Sequence, residues 1–215
     1  FEDLGAGETR TVEMTTLATT WEVRYFIFPD KVGSRGDIPA EIKGKYLEDN
    51  EKFQITHPVI RDAVAAVVGD QTNPYWIVRD IFDHINANMY YEMTGGWNTA
   101  PTVLARGSGS CSEYTFVFIA MCRAAGIPAR YAGSVVVREE DASMDDVFHR
   151  WAEVYLPNYG WIPVDPSRGD QSWPRDQANA IGSVSGTLLV TTESGGGSET
   201  LGWTYNSNQF WTTEP

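Results

Sequence analysis

Apolar residues recur at helical spacing in three segments of the chain. VIRDAVAAVVG predicts a short helix that ends at Gly69. PYWIVRDIFDHINANM follows Asn73, and proline at its first position together with apolar residues three and four apart predicts a second helix. CSEYTFVFIAMCRAAG is apolar on nearly every side, so we expect it to form a buried central helix.

The ends of the third helix carry the strongest local signals. Ser110 and Glu113 fit the S-x-x-E pattern of a capping box, which places Cys111 at the first helical position. Gly126 supplies a stop signal, and Pro128 prevents continuation of the helix.

Strand patterns follow this helix in RYAGSVVV, FHRWAEVYLP and WIPVDP. The last two are separated by the turn residues 157–160, so we expect them to pair as antiparallel neighbours. For a turn centred near residue 158, position 149 then pairs with about position 167. The sequence therefore predicts an α+β protein, with a central buried helix packed on an antiparallel sheet.

The remaining segments suggest a catalytic core with two extensions. Residues 1–56 are rich in Thr, Val and aromatic residues, and the stretch 9–30 predicts two or three strands. Residues 57–175 hold the helices and strands described above. Residues 176–215 predict a C-terminal β-hairpin extension that packs on the core. The segment 90–110 predicts a long irregular connection.

Composition and charge narrow the possible partners. The net charge is −13 at pH 7, and Lys and Arg form no cluster, which argues against nucleic acid because phosphate binding needs a basic surface. No apolar run is long enough to span a membrane. The chain starts at Phe1 without a secretion signal. We therefore expect a processed or excised segment and favour an extracytoplasmic location, secreted or periplasmic.

The two cysteines have different surroundings. A thiol at position 111 would lie beside the unpaired N–H groups and the positive end of the helix dipole, which stabilise a thiolate. The alternative is a buried cysteine, and the local sequence does not separate the two. Cys122 has apolar neighbours, so we expect it to pack in the core. On one helix the two lie about 16 Å apart, too far for a disulfide.

A cysteine nucleophile needs a base and a group that orients the base. We expect His57 to be a surface or capping residue and His84 to be structural. His149 lies in an alternating strand, and Asp165 lies at the end of the next strand. Asp165 could therefore hold the imidazole Nδ1–H and leave Nε2 facing a thiolate. The alternative is a strand histidine and an unrelated aspartate before Pro166.

Neither a metal nor a phosphate-binding cofactor is expected. The cysteines and histidines show no ligand spacing, and the acidic residues form no calcium-loop pattern. The segment GSGS lacks the lysine of a phosphate loop.

Four motifs together resemble the transglutaminase-like superfamily of cysteine enzymes. They are GSCSEY, CRAAGIPARY, HRWAEVYLP and YGWIPVDPS, which lie in the same order and at similar spacing within residues 77–168. The resemblance implies a papain-like fold and a catalytic triad in which Cys111 is the nucleophile, His149 the base and Asp165 the orienting acid. No cofactor is implied.

Two positions depart from the family pattern, and one assignment depends on a loose match. The family usually has Ala where Arg150 and Thr115 stand. In a strand, Arg150 should point away from the face of His149, so we expect little damage to the site. The segment NMYYE resembles the one that supplies the second oxyanion donor, which makes Tyr91 the candidate, with Tyr90 and Trp97 as further ones.

The expected activity is acyl transfer on peptide-like amides through a thioester, with a protein or peptide as substrate. We favour a cysteine protease or amidase. The alternatives are a protein-glutamine γ-glutamyltransferase, which crosslinks or deamidates, and a binding or scaffold module without turnover. The acidic loop 138–146 is either a solvated loop or a feature that favours basic substrates and raises the pKa of His149.

Overall fold

The structure, a computed structural model, describes residues 5–11, 13, 15, 17–93, 97–137 and 148–193. Its helices are α1 (Ala40–Tyr46), α2 (Pro58–Val68), α3 (Pro74–Asn88), α4 (Ala100–Arg106), α5 (Cys111–Ala124), α6 (Pro166–Gly169) and α7 (Pro174–Ala178). Its strands are β1 (Val23–Arg24), β2 (Tyr90–Tyr91), β3 (Ser108–Gly109), β4 (Ala129–Val136), β5 (Phe148–Leu156), β6 (Gly160–Val164), β7 (Ser183–Val184) and β8 (Leu188–Glu193).

Helix α5 is the centre of the core, as the sequence predicts. It begins at Cys111 because Ser110 and Glu113 form the expected capping box. It ends before Gly126, which adopts the left-handed conformation at φ +78°. The residues from Ser112 to Cys122 are all buried. Helices α2, α3 and α4 and strand β5 pack around it, so the fold fixes the position of its first turn.

The main sheet is antiparallel, with the strand order β6-β5-β4-β8. Strands β5 and β6 are joined by a short turn, and Ala152 lies opposite Val164. The strand pairing ends at this residue pair, but extending its register by three residues would set position 149 opposite position 167, as the sequence predicts. The end of β6 therefore lies beside the start of β5. The α+β expectation, with a buried helix on an antiparallel sheet, is confirmed.

The segment before α5 is more ordered than the sequence predicts. Strands β2 and β3 form a short parallel pair in which Tyr91 lies opposite Gly109. In the sequence, helix α4 lies between these two strands and is followed by Gly107, which has φ +75°. A Cβ atom at Gly109 would come within 2.8 Å of the Glu113 Cβ, so only glycine fits there without a shift. This arrangement brings Tyr91 close to the start of α5.

The two extensions differ in what they add to the core. For residues 9–30 the sequence predicts two or three strands, whereas the described residues there hold only β1, which pairs with β7. Strand β8 joins the main sheet beside β4. The second half of the expected hairpin, in residues 194–215, lies outside the described residues. The domain boundaries stay a prediction. No helix in the described part of the chain has the length and apolar character of a membrane span.

Candidate active site

Cys111 occupies the first position of α5 and is partly exposed. Both cysteines carry free thiols. The backbone N–H groups in the first turn of a helix have no intrahelical acceptor, and the helix dipole places positive charge there. The Ser110–Glu113 capping box holds this turn, so the thiol lies at the end of α5 that stabilises an anion.

His149 and Asp165 lie in direct contact, as their positions on paired strands predict. His149 Nε2 is 2.5 Å from Asp165 Oδ2. Asp165 caps α6 and is buried, and its other oxygen accepts hydrogen bonds from the Ser167 hydroxyl at 2.8 Å and the Arg168 backbone N–H at 3.2 Å. The carboxylate is therefore fixed in place by three donors.

The orientation of the imidazole is the reverse of the predicted one. The sequence analysis assigns Nδ1 to Asp165, whereas Asp165 contacts Nε2. The His149 side chain also hydrogen-bonds Cys111, and Nδ1 is the nitrogen left for that bond. The predicted order of the three groups is retained, but the roles of the two ring nitrogens are exchanged.

At both Cys111 and His149, burial shifts the pKa in one direction, and the hydrogen bonds and charges of the neighbouring groups shift it in the other. Burial alone would lower the pKa of His149, but the hydrogen bonds to Asp165 and Cys111 and their charges raise it to about 10. Burial alone would raise the pKa of Cys111, but the hydrogen bond and charge of His149 outweigh it and lower the pKa. The result favours a thiolate–imidazolium pair at neutral pH.

Tyr91 is the aromatic residue that lies against the thiol. Its hydroxyl interacts with both the backbone amide and the side chain of Cys111, and burial raises its pKa. Its backbone N–H donates to Asp170 Oδ2 at 2.6 Å, and the same oxygen accepts from the Tyr114 hydroxyl at 3.3 Å. Tyr90 is exposed, while Trp97 packs against Phe116.

Comparisons with known proteins identify a superfamily for much of the chain. The model of the transglutaminase-like superfamily matches residues 61–166. These residues form a transglutaminase-like domain. The structure of a "Putative Cysteine Protease" from Cytophaga hutchinsonii superimposes with a TM-score of 0.51 at 24% identity, covering 74% of this chain and 55% of that one. At this identity the likeness shows the fold alone.

Two curated relatives are described only as uncharacterized proteins. YebA of Bacillus subtilis is 31% identical over 71 residues, which cover 28% of this chain and 10% of YebA. A Haemophilus influenzae protein is 27% identical over 133 residues, which cover 51% of this chain and 36% of that protein. The chain therefore spans about a third or less of the length of these relatives.

The other two histidines of the chain, His57 and His84, make structural contacts, as expected. His57 caps α2, and its Nδ1 accepts a hydrogen bond from the Val59 N–H at 3.3 Å. His84 lies 3.3 Å from the Asn88 side chain within α3, and burial lowers its pKa. The described residues contain no group of three or more side chains that could hold a metal ion. The acidic loop 138–146 lies outside the described residues.

Two charged residues matter more to the site than the sequence suggests. Glu113 is fully buried, and its carboxylate accepts hydrogen bonds from Ser110, Asn98 and Arg106. Arg150 is also buried, and its charge contributes to the lowered pKa of Cys111. This charge favours the thiolate, and the expectation that Arg150 does little damage to the site stays a prediction. The departure of Arg150 from the family pattern was the available signal.

Proposed function

We propose that the transglutaminase-like domain is a cysteine hydrolase that cleaves peptide-like amides. The observation that carries the proposal is the unbroken series of contacts from Cys111 through His149 to Asp165 at the start of a buried helix. In this proposal Cys111 is the nucleophile, His149 the general acid and base, and Asp165 the group that orients the imidazole and stabilises its charge.

The first half of the reaction forms a thioester. The Cys111 thiolate attacks the amide carbonyl carbon, and the carbonyl oxygen becomes an oxyanion. The C–N bond then breaks, and the departing amine takes the proton of the His149 imidazolium. The lowered pKa of Cys111 and the raised pKa of His149 both favour the protonation states that this step requires.

The second half returns the enzyme to its starting state. The neutral imidazole accepts a proton from water, the hydroxide oxygen attacks the thioester carbon, and the carbon–sulfur bond breaks. The thiolate and the imidazolium are thereby regenerated. If a primary amine replaces water, the same steps give the alternative activity, a γ-glutamyltransferase.

The oxyanion in this proposal is bound by the Cys111 backbone N–H and the Tyr91 hydroxyl. The hydroxyl lies against that amide in the free protein, so the substrate oxygen takes over the amide hydrogen bond and accepts a second one from Tyr91. Removing one oxyanion donor lowers turnover by about 100-fold or more. We expect Tyr91→Phe to show such a loss of kcat while Cys111 still reacts with iodoacetamide.

A peptide library incubated with and without a primary amine tests the reaction. We expect the protein to give cleaved amides by mass spectrometry in both conditions, and Cys111→Ala to give none. Incorporation of the amine in place of cleavage would assign the transferase activity instead. A reactive Cys111 with no product in either condition would favour a binding or scaffold module. An extracytoplasmic location remains part of the proposal.

A further inference from the structure

Arg150 is a buried cation whose side chain is held from two sides. It follows His149 in β5, so its side chain leaves the strand on the opposite face, the one that carries the core residues Ala152 and Val154. Its guanidinium lies 4.9 Å from the centre of the Phe148 ring. Only 8% of the residue is exposed. A cation in such a position interacts with its neighbours more strongly than one in water.

A short series of contacts connects this cation to the first turn of α5. The Arg150 side chain hydrogen-bonds the Tyr131 hydroxyl. That hydroxyl lies 3.4 Å from the Ser112 hydroxyl, and Ser112 directly follows Cys111. The Tyr131 ring is itself fixed, since it is almost fully buried and stacks on Phe116 at 5.8 Å. Arg150 is therefore held in a defined position relative to the thiol.

The charges around the thiol show what Arg150 adds. The ionisable groups of the described residues that interact with Cys111 are Tyr91, Tyr131, His149, Arg150 and Asp165. Two of them supply positive charge, His149 and Arg150. His149 can lose its charge by giving up a proton, whereas an arginine guanidinium is not deprotonated in proteins.

We propose that Arg150 is a positioning residue of the active site, which uses its permanent positive charge to keep Cys111 ionised independently of the protonation state of His149. This inference rests on the proposed function, because it assumes that the thiolate of Cys111 is the reacting group. It identifies a role for one of the two residues at which the sequence departs from the family pattern.

The pH dependence of Cys111 alkylation by iodoacetamide tests the inference without a substrate. Arg150→Gln removes the charge but keeps a side chain that can hydrogen-bond Tyr131. We expect the midpoint of the acid limb to rise by on the order of one pH unit. Arg150→Lys keeps the charge and should restore most of the shift. A midpoint unchanged in Arg150→Gln would overturn the inference.

Arg130→Gln is the matched control, because Arg130 is a mostly buried arginine of the neighbouring strand that instead pairs with Glu153 at 2.6 Å. It should leave the midpoint unchanged, whatever it does to stability. If Arg150→Gln does not fold, Tyr131→Phe replaces it, since loss of the anchoring hydroxyl should raise the midpoint by a smaller amount. An unchanged midpoint in Tyr131→Phe would then overturn the inference.

The outcomes separate this inference from the proposed function. A wild-type Cys111 that reacts no faster than an ordinary thiol at mildly acidic pH would count against the proposed function itself. A reactive wild-type thiol with the same midpoint in Arg150→Gln would leave the proposed function intact and reject only the role of Arg150.

Discussion

The two cysteines of α5 provide a comparison within one helix. Cys111 stands at its first position and Cys122 near its end, 11 residues later, and both are free thiols. Cys111 is partly exposed and contacts His149, whereas Cys122 is fully buried among apolar side chains. The pKa of Cys111 is lowered, while burial raises that of Cys122 well above its usual range.

This difference shows that the helix alone does not make a reactive thiol. Both sulfurs belong to the same rigid element, and burial opposes ionisation at both positions. Only at Cys111 do a helix N-terminus and a charged partner outweigh burial. The lowered pKa of Cys111 therefore depends on its contact with His149 of β5, and we expect that it can be raised again without changing α5.

The largest change in the alkylation rate of Cys111 relative to Cys122 is expected from His149→Ala. At pH 6 a larger fraction of the wild-type Cys111 thiol should be ionised than of an ordinary thiol, because its pKa is lowered and that of His149 is raised to about 10. Without the imidazole, the pKa of Cys111 returns towards the value of an ordinary thiol, and the thiolate fraction falls. We expect alkylation of Cys111 by iodoacetamide at pH 6 to slow by about 100-fold.

Cys122 serves as the internal standard for this measurement, since its labelling in the folded protein should be slow in both proteins. Mass spectrometry of peptides after short labelling times gives both rates in one sample. Equal, slow labelling of the two cysteines in the wild-type protein would contradict the expectation that Cys111 is the more reactive thiol.

A smaller effect is expected from Asp165→Asn. The amide keeps the size of the side chain, but it no longer stabilises the charge of the imidazolium, so the pKa of His149 should fall. Asp165 also acts directly on Cys111, where its charge opposes ionisation. We expect the loss of the imidazolium to dominate and labelling at pH 6 to slow by about 10-fold. Faster labelling would show that the direct repulsion dominates.

Much of the fold, and the meeting of His149 with Asp165, could be predicted because the signals are local. The capping box defines the start of α5 within four residues, and the turn at 157–160 sets the register of β5 and β6. Each signal requires only short-range geometry. The thiol and the acid could therefore be placed before the structure was known.

Three features were not predicted, and the first two depend on packing. Which imidazole nitrogen faces Asp165 follows from the side-chain rotamer of His149 and not from the register. The effect of Arg150 follows from its contact with Tyr131 on a different strand. Helix α4 was missed although Pro101 and Gly107 mark its two ends, since the surrounding Gly, Ser and Thr residues favoured a loop.

Glu113→Gln tests how much the first turn of α5 contributes to the stability of the fold, without altering the thiol of Cys111. The hydrogen bonds from Asn98, Ser110 and Arg106 lower the pKa of this buried carboxylate despite the opposing effect of burial. Its stabilising effect is therefore present above the usual pKa and is lost as pH falls through the lowered, folded-state value. We expect a loss of about 1–3 kcal/mol in the free energy of unfolding at pH 7.

The same variant should lose less stability than the wild-type protein on acidification, because glutamine does not titrate. Denaturant unfolding at pH 7 and pH 4 measures both values, and Glu41→Gln in the exposed first turn of α1 is the matched control. An equal loss in the two variants at pH 7 would show that the buried hydrogen bonds of Glu113 contribute little.

The smallest effect on the alkylation rate of Cys111 is expected from substitutions at Cys122. Cys122→Ala removes one buried sulfur and should lower the free energy of unfolding by about 1 kcal/mol through loss of packing. Cys122→Ser keeps the volume but buries a hydroxyl, which within a helix can donate to the carbonyl of Phe118 and so avoid the full cost of an unsatisfied group. We therefore expect the two variants to be destabilised by similar amounts, with the same alkylation rate at Cys111 as in the wild-type protein. Since the pKa of Cys111 depends on groups at the other end of α5, a changed rate in both variants would mean that core packing, and not the contact with His149, controls the thiol.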